Sequence, residues 1–159
     1  MLVDRESEHA SAGERRGLQL WRAELHRVQG QLSEAKTTYQ TILTGPRGKA
    51  TKSTAQAGAV TALLGQYGIA LAQQEPADAT RALDELLLLV AEPSPLQTAL
   101  QVERARQDEL AGRDSAAATR YEAVLQNNPA GSLSAALGLL RTTVRLPSKS
   151  TEQTPAQKA

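Results

Sequence analysis

Residues 23–43, AELHRVQGQLSEAKTTYQTIL, and residues 105–125, ARQDELAGRDSAAATRYEAVL, are the stretches whose reading decides the fold. Ala23, Gly30, Ala35, Tyr39, Ile42 and Leu43 of the first recur as Ala105, Gly112, Ala117, Tyr121, Val124 and Leu125 of the second. Each pair is 82 positions apart, with no gap. That distance is a little over two periods of about 34 residues, the length of a helix–turn–helix repeat. A third, looser copy lies between the two.

Working outward, the apolar spacing predicts seven helices. The first runs from Gly13 to Gln29, with Leu18, Leu20, Trp21, Leu25 and Val28 at helical intervals. Gly30 suits a sharp turn, and Ser33 with Glu34 opens a second helix that ends near Gly45-Pro46. After a polar connection, Arg47 to Lys52, a third helix spans about Ser53 to Gln73. It is rich in small residues (Ala55, Ala57, Gly58, Gly65, Gly68), which allow close packing at some cost in propensity. Pro76 suits the first turn of a fourth helix, Ala77 to Ala91. Glu92-Pro93-Ser94-Pro95 breaks the pattern, since each proline bars its predecessor from helical geometry. Leu96 to Ala111 is the fifth helix, and Gly112 turns the chain. Asp114 or Ser115 caps the sixth, which stops before Asn127-Asn128-Pro129. Gly131-Ser132 starts the last, Leu133 to Arg145.

These elements make an all-α domain over residues 13–146, between a disordered head, 1–12, and a disordered tail, 147–159, too poor in apolar residues to fold. Three hairpins leave one helix over, which is expected to cap the array, the alternative being that it begins a fourth hairpin lost by truncation. Composition agrees with the class: helix formers dominate, while Phe is absent and only three Tyr and one Trp occur. Eighteen Lys and Arg against seventeen Asp and Glu leave a net charge of +1. That balance supplies neither the cationic surplus that phosphate binding needs nor an attraction to anionic membranes. With no cysteine, disulfides and thiolate chemistry are excluded. The start of the chain lacks the apolar core of a secretory signal, and Leu86 to Val90 is far shorter than a membrane span. The chain as written is therefore expected to be soluble and cytoplasmic, another compartment being open if it is a fragment.

The six-position pattern resembles the tetratricopeptide repeat family. The resemblance covers roughly Gly17 to Arg145 and implies a right-handed α-solenoid of about three helix–turn–helix repeats plus a C-terminal capping helix. In such a repeat Ala23, Ala105, Ala35 and Ala117 would let the two helices of a hairpin cross closely. Gly30 and Gly112 would sit at the turn, Tyr39 and Tyr121 would fill the space towards the following hairpin, and Pro129 would be the closing proline. Two positions depart from the pattern. Arg22 and Arg104 replace the usual large apolar residue, and His26 and Asp108 replace an aromatic. The middle copy fits with two extra residues in its turn, pairing Gly65 with Ala79 and placing Leu83 where tyrosine would stand.

The family's concave-face positions fall on Leu20, Glu24, Arg27 and Val28 in the first hairpin, and on Val102, Arg106, Glu109 and Leu110 in the third. In the middle they fall on Ala62, Gln66, Ile69 and Ala70. The spacing i, i+4, i+7, i+8 independently places each set on one helix face. This mixed apolar and charged face suits an amphipathic helix or extended peptide. The Lys and Asn with which some relatives grip a C-terminal carboxylate are missing.

Little else points to chemistry. His9 and His26 are the two histidines, and no Cys joins them in a metal site. Asp84-Glu85 and Asp108-Glu109 read as exposed helix positions. Gly13 and Gly17 lack the strand and Gly-Lys-Ser/Thr of a phosphate loop. Trp21 is expected inside the first hairpin, its rival role being an exposed anchor. The expected function is a non-enzymatic adaptor, without cofactor or metal, that holds a protein or peptide partner in its groove within a larger assembly. One rival is homo-oligomerisation through Leu86 to Val90 or the last helix (Leu137, Leu139, Leu140, Val144). A weaker one is RNA binding through Arg141, Arg145 and Lys149.

Overall fold

The computed structural model describes residues 11–45, 52–90, 93–128 and 132–146, with the side chains of 52–55 left aside. Among them are seven α-helices and no strand: α1 Ala12–Val28, α2 Leu32–Thr44, α3 Lys52–Ala72, α4 Pro76–Leu89, α5 Pro95–Leu110, α6 Asp114–Asn127 and α7 Leu133–Arg145. The chain is all-α. No described helix is long and apolar enough to cross a membrane. Contacts divide the chain into two compact units, Met1–Leu100 and Gln101–Ala159. Residues 1–10 of the expected head, the connection around Arg47, Pro129, and the expected tail with Lys149 lie outside the described residues.

Local chemistry sets the helix ends. A reciprocal capping box opens α1: the Glu14 N–H donates to Ser11 Oγ at 3.3 Å and the Ser11 N–H to the Glu14 carboxylate at 2.6 Å. Ser132 caps α7 by accepting from the Ala135 N–H at 3.2 Å. Pro76 occupies the first turn of α4. The cap expected for α6 is corrected: Arg113 stands at that position and makes no side-chain cap bond, while Asp114 and Ser115 lie inside the first turn. Helix α2 likewise starts at an uncapped Gln31, with Ser33 and Glu34 inside its first turn. The turns supply the reason.

One turn is built three times. After α1, the Gly30 N–H donates to Arg27 O at 3.1 Å and the Gln31 N–H to His26 O at 2.9 Å. After α5, Gly112 donates to Glu109 O at 3.0 Å and Arg113 to Asp108 O at 2.9 Å. After α3, Gln74 donates to Leu71 O at 3.2 Å and Glu75 to Ala70 O at 2.8 Å. Each is a Schellman closure, in which the residue closing one helix immediately opens the next and leaves no room for a separate cap. The motif needs a left-handed residue at its centre. Gly30 and Gly112 sit at φ 75° and 71°, and Gln74 takes the same conformation at φ 57°. The middle turn is therefore as long as the others, and the two extra residues expected in it are absent. Gln74 disguised it by standing where glycine stands elsewhere.

In the first unit Ala23, Ala35, Tyr39, Ile42, Ala62 and Ile69 form one buried cluster, and Leu63, Leu83, Leu86 and Leu100 form another. In the second unit the cluster is Ala105, Ala117, Tyr121, Val124 and Ala135. The alanines face one another across each hairpin, where a larger side chain would hold the helices apart. Each tyrosine ring lies against a glycine of a third helix. A Cβ on Gly65 of α3 would fall among the ring atoms of Tyr39, and one on Gly138 of α7 among those of Tyr121.

Trp21 corrects an expectation: it is 61% exposed, on a face shared with Leu18, Leu25 and Val28. Helix α1 turns small Ala23 inward, which lets α2 approach and leaves the bulkier apolar residues outside. Leu100, in the repeat register of Leu18, is buried because Leu63 of α3 and Leu83 and Leu86 of α4 cover it. No described helix precedes α1.

Candidate functional site

The first-helix positions split by unit and by burial. On α1, Leu20 is half-buried against the core, while Arg27 and Val28 are exposed, Val28 at 75%. On α3, Gln66 is half-buried, and Ala62, Ile69 and Ala70 are buried in the first unit. This set rests on the two extra turn residues that are absent, and aligning Gln74 with Gly30 moves it to exposed Leu64, Gly68, Leu71 and Ala72. On α5, Val102 packs against the core, Arg106 is exposed and Leu110 is 70% exposed. Glu109 is buried at 8%. Thus Ala62, Ile69, Ala70 and Glu109 are buried, and Arg27, Val28, Arg106 and Leu110 are the exposed members of the set.

Glu24 of α1 accepts hydrogen bonds from the Tyr39 hydroxyl of α2 and from Arg27 Nε, the latter at 2.8 Å. Partial burial pushes the Glu24 carboxyl up, but these donors more than offset it and hold the group below its ordinary value. Burial pushes the Tyr39 hydroxyl well up, and the neighbouring carboxylate pushes the same way. A charged group on the predicted concave face is thereby fixed in place and its charge retained at neutral pH.

The second unit builds the same motif with the charges exchanged. Arg106 stands in the register of Glu24 and Glu109 in that of Arg27. The Tyr121 hydroxyl donates to Glu109 at 3.2 Å. Two parallel bonds from Arg141 of α7, at 2.8 and 2.9 Å, make a bidentate pair with the same carboxylate, and Arg145 approaches it at 3.3 Å. The Arg141 bonds lead in holding Glu109 below its ordinary value, against a burial that pushes it up. Burial raises Tyr121 to about 12, with the adjacent Glu109 charge acting in the same sense. Arg141 and Arg145, the residues of the RNA reading, are thus engaged by carboxylates, Arg145 also lying 3.6 Å from Asp114.

Asp108 points the other way and overturns its reading as an exposed helix residue. It is 2% exposed and gathers three arginines: Arg104 at 2.5 Å, Arg113 at 2.7 Å and Arg120 at 2.8 Å. Burial pushes its carboxyl up, and the three guanidiniums more than reverse this and leave it low. Arg104 and Asp108 are the two positions that departed from the apolar–aromatic pattern, so an ion pair fills the place of a hydrophobic contact. The equivalent place in the first unit is held by Arg22 and His26, whose Nδ1 lies 2.6 Å from Gln31 Oε1. Here the surface opens into a shallow groove of about 570 Å³ between α1 and α2, lined with Thr37, Thr38 and Thr41 among others. Each of these threonine hydroxyls donates to the carbonyl four residues back, at 2.8–3.0 Å.

Sequence reasoning missed the Asp108 cluster. Its signal was present: a charge at each of two positions four residues apart, both reserved for apolar groups, is the pattern of an internal ion pair. Among the described residues no group of three His, Cys, Asp or Glu side chains is placed to hold a metal ion. In comparison with known proteins, the chain matches no family model, and no curated protein is significantly similar to it.

Proposed function

We propose that this chain is a non-enzymatic binding module. Its hairpins are read as a right-handed α-solenoid of about three tetratricopeptide-like repeats with α7 as an additional helix, binding a protein segment on the exposed faces of the first helices. The observation that carries the reading is the repeated build. Two hairpins 82 residues apart share the alanine crossing, the Schellman turn, and a tyrosine lying on a third helix's glycine. Such hairpins bury one face against neighbours and leave the first-helix face to a ligand. Open Val28 and Leu110, each beside an arginine, give that face apolar contact area with charged borders suited to an amphipathic partner helix. The proposed setting is a larger assembly, with no cofactor involved.

The test is quantitative capture. A partner identified by cross-linking is to be reconstituted with purified wild-type chain and with Val28→Glu, Leu110→Glu and Leu88→Glu. Either groove change is expected to weaken binding at least tenfold, since each places a charge against an apolar contact. Leu88→Glu, on α4 and 81% exposed, is the control that leaves affinity unchanged. Undiminished binding by both groove variants would remove the proposal.

A further inference from the structure

Helix α7 carries an apolar stripe open to solvent. Leu133, Leu137, Leu140 and Val144 are 75%, 48%, 61% and 76% exposed, and their spacing sets them along one face for the length of the helix. The opposite face, with Ala135, Gly138 and Thr142, is buried. Scattered exposed leucines need no explanation, but a continuous row of four does.

Three features define what fits it. The first is register. Tyr121 lies on Gly138 as Tyr39 lies on Gly65, which aligns α7 with α3. In that alignment Leu133 and Leu140 match Val60 and Tyr67, which pack against the cluster of Leu63, Leu83 and Leu86 that α4 helps to build. Leu137 and Val144 match Leu64 and Leu71, which are 40% and 46% exposed. The chain already covers half of the matching face once.

The second feature is charge. Arg141 and Arg145 are the only charged residues of α7, and Glu109 holds both. Exposed Ala136 and Thr143 on one border of the stripe carry no charge, and Arg141 and Arg145 on the other are met by Glu109 and Asp114. An acidic or basic partner therefore gains little complementarity, and two copies meet with little repulsion. The α1 stripe differs, because exposed Arg15 and Arg22 border it and would bring more positive charge beside Arg141 and Arg145.

The third feature is symmetry. The steps of four, three and four residues read the same in both directions. An antiparallel mate therefore pairs Leu133 with Val144 and Leu137 with Leu140, each contact being made twice, as in a closed two-fold interface.

We propose that α7 docks antiparallel on α7 of a second copy of this chain. One helix face is small beside the roughly 800 Å² per partner of a standard interface. The dimer is accordingly weak and reversible, with a dissociation constant on the order of micromolar to hundreds of micromolar. It is independent of the first-helix faces proposed for the partner.

Sedimentation velocity across a concentration series, from a few micromolar to about 1 mM to span that range, reads the outcome. The mass of the wild-type chain is expected to rise towards twice its monomer value. Leu137→Glu and Leu140→Glu, with unchanged far-UV circular dichroism, remain monomeric throughout, while Leu88→Glu and Trp21→Ala dimerise like the wild type. The chain has no cysteine, so single substitutions report the orientation. Oxidation traps a Leu137→Cys dimer near the two-fold axis. It does not trap Val144→Cys, whose two copies lie about 16 Å apart along the antiparallel pair at 1.5 Å per residue. A monomer at every concentration, a dimer that survives Leu140→Glu or is lost with Trp21→Ala, or trapping of Val144→Cys as readily as Leu137→Cys would overturn the proposal. Should a glutamate variant lose helix, the cysteine pair decides alone.

Discussion

Replacing Asp108 by alanine removes the carboxylate around which three arginines of the second unit are arranged. Arg113 and Arg120 are 50% and 46% exposed, so each of their pairs with Asp108 contributes at most about 1 kcal/mol. The Arg104 pair is different, with side chains 10% and 3% exposed at 2.5 Å. Deleting Asp108 leaves the Arg104 guanidinium inside the protein without its main counter-charge, and breaking a buried pair in this way costs about 3–5 kcal/mol. A loss of about 4 kcal/mol corresponds to a fall in Tm of roughly 8–16 °C for a chain of this length. Arg104→Leu combined with Asp108→Tyr separates charge from volume. Replacing both partners with apolar groups removes the desolvation cost together with the attraction, and is expected to return stability to within about 1 kcal/mol of the wild type.

The same cluster predicts a pH signature. Asp108 and Glu109 are both held below their ordinary values of 3.8 and 4.5 in the folded chain. A carboxylate lowered by folding stabilises fully above its unfolded value, and that contribution drains away as pH falls through the folded value. The gap between wild type and Asp108→Ala is therefore constant from pH 7 to about 5 and narrows below about pH 4. Urea unfolding followed by far-UV circular dichroism at pH 7 and pH 3 measures it. A cost under about 1 kcal/mol at pH 7, or an equal gap at both pH values, would refute the reasoning.

Gln74→Gly is expected to stabilise the chain by about 0.5–1 kcal/mol, because glycine takes the φ of 57° without the steric cost borne by glutamine. Gly112→Val, at φ 71°, is expected to lose about 2 kcal/mol, and melting curves of the two variants should move in opposite directions. Gly65→Ala and Gly138→Ala each place a methyl group where a tyrosine ring stands and are expected to cost about 1–3 kcal/mol. Unchanged melts for both would mean that the rings have free space to move. Phenolate absorbance should show Tyr39 and Tyr121 ionising above the ordinary tyrosine range, since Tyr39 is pushed well up and Tyr121 to about 12. Titration of Tyr39 and Tyr121 near pH 10 would contradict the hydroxyl–carboxylate contacts.

How much of this was legible in the sequence depended on what kind of constraint each residue answers. Gly30, Gly112, Ala23, Ala35, Ala105 and Ala117 were readable because backbone geometry and close approach admit few other residues. Helix α7 was readable from its period, although its small inner face at Ala135 and Gly138 was not, since its bulkiest apolar residues lie on the open face and only Leu139 marks the buried side. Trp21 was misplaced for a related reason. Apolar spacing marks a face and does not say whether anything covers it. The middle turn was misread because Gln74 satisfies a left-handed position that glycine normally signals. Glu109 was misread as solvated because Arg141 and Arg145 belong to another helix, and Asp108 because Arg120 does too and its near neighbours Arg104 and Arg113, four and five residues away, were not read as its partners.

The two matched hairpins differ in their electrostatics while agreeing in their backbone demands. Glu24 with Arg27 becomes Arg106 with Glu109, and His26 becomes Asp108, yet each tyrosine hydroxyl still finds a carboxylate. Substituting the alanines or glycines would force the helices apart, whereas exchanging the sign of a charge pair leaves the packing intact as long as both members exchange. Surface chemistry is thus free to diverge between repeats of one architecture. In the second unit that freedom is used up: Glu109 and Asp108 are sealed by arginines that tie α5, α6 and α7 together. In the first unit Arg22, Thr37 and Thr41 are exposed and His26 and Thr38 half-buried beside a shallow groove. Under the proposed binding function, a ligand distinguishing the two hairpins would do so through these re-dealt charges, and substitutions at Arg22 or Arg106 are expected to cost the fold little.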